Sequence, residues 1–290
     1  MTLRFDNRTI IITGAGSGLG EVYARLLASR GAAVVIVDLG ENAEKVAASI
    51  GADGGKAVSV IGSVSDQTTA KAAVDAALSN YGSLDGLINN AGVGWERPFM
   101  EDSMEDLRLL MDVHYFGTVN MTRAVWPVME KAGYGRILNI TSANIFGMEG
   151  WAGYAAAKAA NFSLGRSLAL EGRASGIKVN NLAPAALTPM LVDNVKQPEI
   201  LASVQFAKPE LVGPAAAYLV HESVPFTGHT LFSAAGLVAD ILIGTTQGQT
   251  DPDLTIEKVA EFVTGTEMHE NLKIQKSTIE QTTEGLVTTK

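Results

Sequence analysis

The chain has 290 residues, 47% of them hydrophobic, and a formal net charge of −9. That length supports one large α/β domain or two ordinary ones with a full core, and the hydrophobic content excludes global disorder. Scattered Lys and Arg argue against nucleic acid and the acidic balance against a membrane surface; the lack of cysteine excludes disulfides, a thiolate zinc site and a cysteine nucleophile.

The opening residues MTLRFDNRTIIITGAG hold a short apolar run broken by glycine. This is neither a signal peptide nor a membrane span, so a cytoplasmic protein is expected. Thr9–Thr13 (TIIIT) reads as a buried strand from its β-branched content. Ala33–Asp38 (AVVIVD) and 57–62 (AVSVIG) read as the next two strands. In SDQTTAKAAVDAALSNYG, Ala70, Ala73, Val74, Ala77 and Leu78 share one helical face, opened by a Ser65 or Asp66 cap and closed near Gly82. LDGLINN is a strand, 103–131 is helical and GRILNITS is a strand. A helix over 153–174 follows, then the strand IKVNNLAP ended by Pro184, a helix after Pro209 and a short strand in GHTLFS. This alternation predicts an α/β fold, a doubly wound parallel sheet with helices on both faces, over 1–244. The more polar remainder, 245–290, reads as a partly helical C-terminal extension. Its helix over 255–263 presents Ile256, Val259, Ala260 and Val263 as an apolar face expected to dock on the body or a neighbouring subunit.

TGAGSGLG, Thr13 to Gly20, follows the first strand and opens a helix. Glycines let the backbone turn sharply and approach a pyrophosphate, whose charge the helix N-terminus favours. Gly14, Gly18 and Gly20 alone would also suit a plain strand-to-helix turn. Asp38 adds context: it ends the second strand, where an acid can bond adenosine ribose hydroxyls. A carboxylate there repels a 2′-phosphate, and neither Ser17 nor Leu39 offers a guanidinium, so NAD is expected over NADP.

In GWAGYAAAKAANF, Tyr154 and Lys158 share one helix face among side chains too small to cover them. Moving a hydride to or from a carbon requires a proton to move at the attached oxygen. A phenol is too weak a base for this unless nearby positive charge stabilises its phenolate, and Lys158 is placed to supply it. A Tyr–Lys pair on a solvated face would carry the same spacing. Ser142, at the end of the preceding strand, can bond a substrate oxygen or merely open a turn.

Over 9–236, TGAGSGLG, NNAG (Asn89 to Gly92), Ser142 twelve residues before Tyr154, and YAAAK stand together in one order. In these motifs the chain resembles the short-chain dehydrogenase/reductase family. The resemblance implies a Rossmann fold, a homodimer or homotetramer, and an NAD-dependent alcohol dehydrogenase or ketoreductase. It implies Tyr154 as acid/base, Lys158 as ribose ligand and Ser142 as substrate-oxygen partner. It implies a cofactor site of Thr13, Gly14, Ser17, Gly18, Leu19, Gly20, Asp38, Ser63, Val64, Asn90, Ala91, Gly92, Tyr154, Lys158, Pro184, Ala185, Leu187 and Thr188. There are departures: Ser63–Val64 replaces Asp-Val, Pro184–Ala185 replaces Pro-Gly, and His114 stands where the family carries an asparagine that holds a relay water. His114 is expected to hold that water or pair with Lys158, and an imidazole can change charge near neutral pH; the alternative is a core histidine bonded to a backbone carbonyl. His221 in LVHES reads as a helix-terminus residue.

AVWPVM, APAALTPM and LVHESVPFTG are similar to one subgroup, the (3R)-hydroxyacyl-CoA or 17β-hydroxysteroid dehydrogenase domain of peroxisomal multifunctional enzyme. That implies a bulky hydrophobic secondary alcohol or ketone as substrate. Trp95, Asn144, Phe146, Trp151, Met190 and Leu191 are the substrate candidates, with Phe99, Met148 and Phe206 nearby, against an ordinary core or interface role. The four histidines lack ligand spacing, so no metal is expected. Two other readings stay open: a non-catalytic dinucleotide-binding protein, and an NAD-using lyase or epimerase on the same fold.

Overall fold

Every residue of β1 (Thr9–Thr13) is buried, as its unbroken β-branched run requires of a strand covered on both faces. A computed structural model describes residues 2–246, 248, 250–264 and 273–274. They fall into two compact units, Met1–Asp240 and Ile241–Lys290.

The first unit is built on an eight-stranded sheet. Its strands are β1, β2 (Ala33–Asp38), β3 (Lys56–Ile61), β4 (Gly86–Asn89), β5 (Gly135–Ile140), β6 (Ile177–Ala185), β7 (Thr230–Ala234) and β8 (Leu237–Asp240). The spatial order is β3-β2-β1-β4-β5-β6-β7-β8, with only β8 antiparallel to its neighbour. Successive side chains of β1 go to opposite faces: Ile10 and Ile12 join the core under α1 (Gly18–Ser29), and Ile11 joins the core under α3 (Gln67–Tyr81). Truncating such a side chain to Ala would cost about 2–5 kcal/mol.

The expected α/β doubly wound sheet is present, with differences at its margins. Asp66, not Ser65, caps α3, accepting from the Thr68 amide at 2.8 Å, and Gly82 closes that helix with φ +76°. The helical stretch at 103–131 is α4 (Met104–Met111) and α5 (Gly117–Ala132), joined through a π-helical turn, Asp112–Phe116, that carries His114. α6 is Ala152–Glu171. Pro184 does not end β6: it stays in register with Ser233 of β7. α2 (Asn42–Ala52), α7 (Pro189–Asn194), α8 (Pro198–Val204) and the hairpin strand β8 were not among the expected elements, and α9 is Gly213–Leu219. Among the described residues, no helix is long and apolar enough to cross a membrane.

The second unit holds the short antiparallel pair β9 (Gly244–Thr245) and β10 (Lys273–Ile274), and α10 (Ile256–Thr264). α10 contains the apolar face anticipated at 255–263, and Ile256, Val259 and Val263 on it are exposed. The rest of the anticipated extension, 265–272 and 275–290, lies outside the described residues.

Candidate active site

A cleft of about 470 Å³ opens at the carboxyl ends of β1, β2, β4, β5 and β6. Ligands settle at this edge in open parallel sheets, because the crossovers diverge there.

One half of the cleft is backbone and small side chains. Gly14 and Gly18 take φ +63° and +57°, values that strain other residues. A Cβ on Gly14 would stand 2.7 Å from Ala91 Cα, so β1 and the segment after β4 can touch only through glycine. Asn90 fastens that contact, its amide donating to the carbonyls of Thr13 (2.9 Å) and Gly14 (3.1 Å). The Thr13 hydroxyl accepts from the amides of Asn90 and Ala91, both at 3.0 Å. Ser17 precedes α1 with its side chain making no capping bond, and its hydroxyl lines the cleft beside the first N–H groups of the helix. These groups form an anion cradle. At the far end, Asp38 Oδ2 accepts from Gly16 N–H (2.8 Å) and Oδ1 from Gly40 N–H (3.2 Å), which fixes the carboxylate at the end of β2. An anion cradle followed by a fixed ribose-side acid fits a dinucleotide. Gly14, Ser17, Gly18, Leu19, Asp38, Ser63, Val64, Asn90, Ala91, Gly92, Pro184, Ala185 and Thr188 all line this cleft.

The other half holds the titratable groups. Lys158 is buried, and its ammonium donates to Ile140 O at 2.8 Å. Thr141 returns a bond to Lys158 O at 2.8 Å, so β5 and α6 are stitched together at this point. The Lys158 nitrogen lies 5.6 Å from the centre of the Tyr154 ring. Trp151 and His114 flank that ring edge-on, each with centroids at 5.3 Å. Burial drives the Tyr154 phenol up to about 12, against the pull of the Ser142 hydroxyl, and drives Lys158 down to about 7. In this structure the pull on the Tyr154 phenol comes from Ser142, and burial lowers Lys158 itself.

His114 departs from the expectation of a group charging near neutrality. It is buried, and burial first, then the charge of Lys158, pushes it down to about 3. Its Nε2 lies 2.6 Å from Val93 O. A carbonyl only accepts, so at the shorter of its two Val93 contacts (the other, to Val93 N, is 3.3 Å) Nε2 donates, and Nδ1 is a buried acceptor with no partner among the described residues. This is the carbonyl-bonded histidine of the alternative reading, with one nitrogen to spare; no bond joins it to Lys158, which turns to Ile140. Gly92 makes room for the ring, since a Cβ there would stand 3.1 Å from Nδ1. Unfolded, His114 takes a proton near 6.5; folded, near 3, so the unfolded state binds more protons between these values. Relative to His114→Asn, the wild type should lose stability as pH falls through that window, by up to about 1.4 kcal/mol per unit. Urea titrations of both proteins from pH 7 to pH 4 measure this; parallel curves would show that the ring is not held neutral.

Five candidates lie away from the cleft lining. Thr13 and Gly20 support the glycine loop from behind. Trp95 donates its indole N–H to Asp102 at 2.9 Å and stays in the β4–α4 connection. Phe146 ends a 3-10 turn after Ser142 that swings it outward, leaving it 71% exposed. Leu187 sits at the neck of the β6–α9 connection, where its amide bonds Ala207 O. Phe99 and Phe206 are likewise exposed. Asn144, Trp151, Met190 and Leu191 do line the cleft, together with Met148. Val195 and Val204 also line it and were missed, because α7 and α8 went unrecognised. Their signals were Pro189 and Pro198, each at the first position of a short helix, and Thr188 as the cap of the first.

The family described as short chain dehydrogenase matches residues 8–199. Peroxisomal multifunctional enzyme type 2 of Mus musculus is 40% identical over 250 residues, covering 82% of this chain and 33% of the mouse protein. The full-length structure of the Drosophila melanogaster enzyme of that name superposes with a TM-score of 0.82 at 32% identity, covering 99% of this chain and 50% of that one. A 7α-hydroxysteroid dehydrogenase complexed with NADH and 7-oxo glycochenodeoxycholic acid superposes at 0.75 and 33% identity, covering 80% and 95%. The chain thus spans about a third of the mouse enzyme and half of the insect one.

Proposed function

The chain belongs to the short-chain dehydrogenase family and is an oxidoreductase; from that premise we propose that it takes a nicotinamide dinucleotide, NAD(H), and interconverts a secondary alcohol and a ketone on a bulky hydrophobic substrate. The observation that carries this reading is Tyr154, half-buried in the cleft lining, with the Ser142 hydroxyl bonded to its phenol and the Lys158 nitrogen 5.6 Å from its ring centre. When bound, the cofactor accepts or supplies the hydride and, oxidised, brings positive charge beside the phenol. Tyr154 takes the alcohol proton during oxidation and returns it during reduction. Ser142, whose Oγ also accepts from Asn144 N–H at 3.1 Å, holds the carbinol oxygen. Lys158 orients the ribose and favours the phenolate when protonated. His114 offers a neutral acceptor at Nδ1 for an ordered water.

Charge and shape narrow the substrate. Met148, Trp151, Met190, Leu191, Val195 and Val204 make the far wall apolar, and Lys158 is the one cation among the described residues lining the cleft. Away from Lys158, which donates to Ile140 O, a carboxylate or phosphate set against this wall would find no cation among the described residues, at a cost of several kcal/mol. Hydroxysteroids and 3-hydroxyacyl thioesters both present an uncharged secondary carbinol on a hydrophobic skeleton. NAD rather than NADP is supported by Asp38, a carboxylate held at the end of β2 by the Gly16 and Gly40 amides, which would repel a 2′-phosphate brought beside it. A spectrophotometric panel tests the reading: hydrophobic secondary alcohols should reduce NAD, while short hydroxy acids should be poor. A preference for the hydroxy acids would defeat it.

A further inference from the structure

The connection from β6 to α9 leaves the sheet at Leu187 and returns at Ala207, and a single bond, Leu187 N–H to Ala207 O at 2.8 Å, closes its neck. Between these points α7 and α8 place Met190, Leu191, Val195 and Val204 against the substrate half of the cleft. These helices have six and seven residues, too few to persist without outside contacts.

A carboxylate from a loop 100 residues earlier supplies such contacts. Glu96, between β4 and α4, accepts at Oε2 from Lys196 N–H (2.8 Å) and at Oε1 from the Gln197 side-chain amide (3.3 Å). Its own N–H donates to Asn194 O at 3.2 Å. The bond from Lys196 holds the Glu96 carboxyl below the usual range, so it is ionised at neutral pH and the bond is charge-assisted. The next residue, Arg97, donates its N–H to Gly150 O at 2.8 Å. Gly150 lies in the loop that presents Met148 and Trp151 to the cleft. It has φ +76°, and a Cβ there would stand 3.0 Å from Glu96 Cγ, so this loop closes on Glu96 only through glycine. Residues 96 and 97 therefore brace the two apolar walls against each other.

We propose that Glu96 is the latch of a lid formed by residues 188–206, a positioning residue that sets how long the apolar wall stays closed over bound substrate. This rests on the reading of the cleft as a hydrophobic-alcohol site. Releasing the latch opens the wall that grips the substrate and leaves the glycine loop and Asp38 in place, so it separates substrate affinity from cofactor affinity.

Hydrogen exchange on the full chain with NADH bound tests it, using Glu96→Ala, Glu96→Gln and, as a control on the same loop, Glu101→Gln. Amides of 192–197 should exchange about tenfold faster in Glu96→Ala, as expected for loss of a charge-assisted bond. Glu96→Gln should fall between, because its amide oxygen still accepts from Lys196. In Glu96→Ala the KM for a hydrophobic alcohol should rise about tenfold while NADH affinity changes by less than about twofold. Wild-type exchange at 192–197 in both Glu96 variants would overturn the latch. So would an increase in Glu101→Gln equal to that in Glu96→Ala. Exchange needs no turnover, so a failure to oxidise any alcohol would count against the substrate reading and leave the latch to be judged on exchange alone.

Discussion

Tyr154→Phe should bind NADH as the wild type does and turn over at least about 10²–10⁴-fold more slowly, the range that a positioned acid/base supplies. Phenylalanine keeps the ring that packs edge-on against Trp151 and His114, so the pocket shape survives and only the proton carrier is lost. The pH dependence of the wild type has a definite sign. Alcohol oxidation needs the phenolate, and without cofactor burial, only partly offset by the Ser142 hydroxyl, holds the phenol up near 12. kcat/KM for oxidation should therefore rise with pH towards a plateau set by the lowered value in the NAD complex, while ketone reduction, which needs the protonated form, falls over the same limb. Steady-state kinetics with a fluorescence titration of NADH measures both. Near-normal turnover in Tyr154→Phe would remove the phenol from the mechanism.

The second large effect concerns cofactor choice. A 2′-phosphate about 4 Å from the Asp38 carboxylate would be repelled by about 4 kcal/mol at an effective dielectric of 20. Partial exposure of Asp38 weakens this, leaving a preference of about 10²-fold in kcat/KM for NAD(H) over NADP(H). Asp38→Asn keeps an oxygen for the Gly16 amide and discards the charge, so the preference should shrink at least about tenfold, mostly through gained NADP(H) affinity. A wild type that favours NADP(H) would show that Asp38 does not face the 2′ position.

How much of this was legible beforehand follows from the physics of each segment. The strands read well because a parallel sheet covered on both faces demands continuous Val and Ile, as in Thr9–Thr13 and Ala33–Asp38. The glycine loop and the Tyr154–Lys158 pair read well because local geometry fixes them: φ near +60° at Gly14 and Gly18, and four-residue spacing on one helix face. Pro184 misled because proline usually ends a strand, yet here β6 runs on to Ala185 beside β7. Phe146 and Trp95 are expected in the site by type and loop position; a 3-10 turn leaves Phe146 exposed and a bond to Asp102 holds Trp95 just off the cleft lining. The protonation of His114 and Lys158 was not legible at all, because burial is a property of the assembled fold.

The central claim is hydride transfer between a carbinol carbon and the nicotinamide with Tyr154 moving the proton. The most direct measurement follows a hydrophobic secondary alcohol carrying deuterium at its carbinol carbon, incubated with the wild-type protein and NAD. The account predicts reduced cofactor carrying one deuterium per ketone formed, the same ratio in Tyr154→Phe but at a rate lower by at least about 10²–10⁴-fold. Ketone formed without deuterium in the cofactor, or labelled cofactor formed by the Tyr154→Phe protein at the wild-type rate, would contradict it.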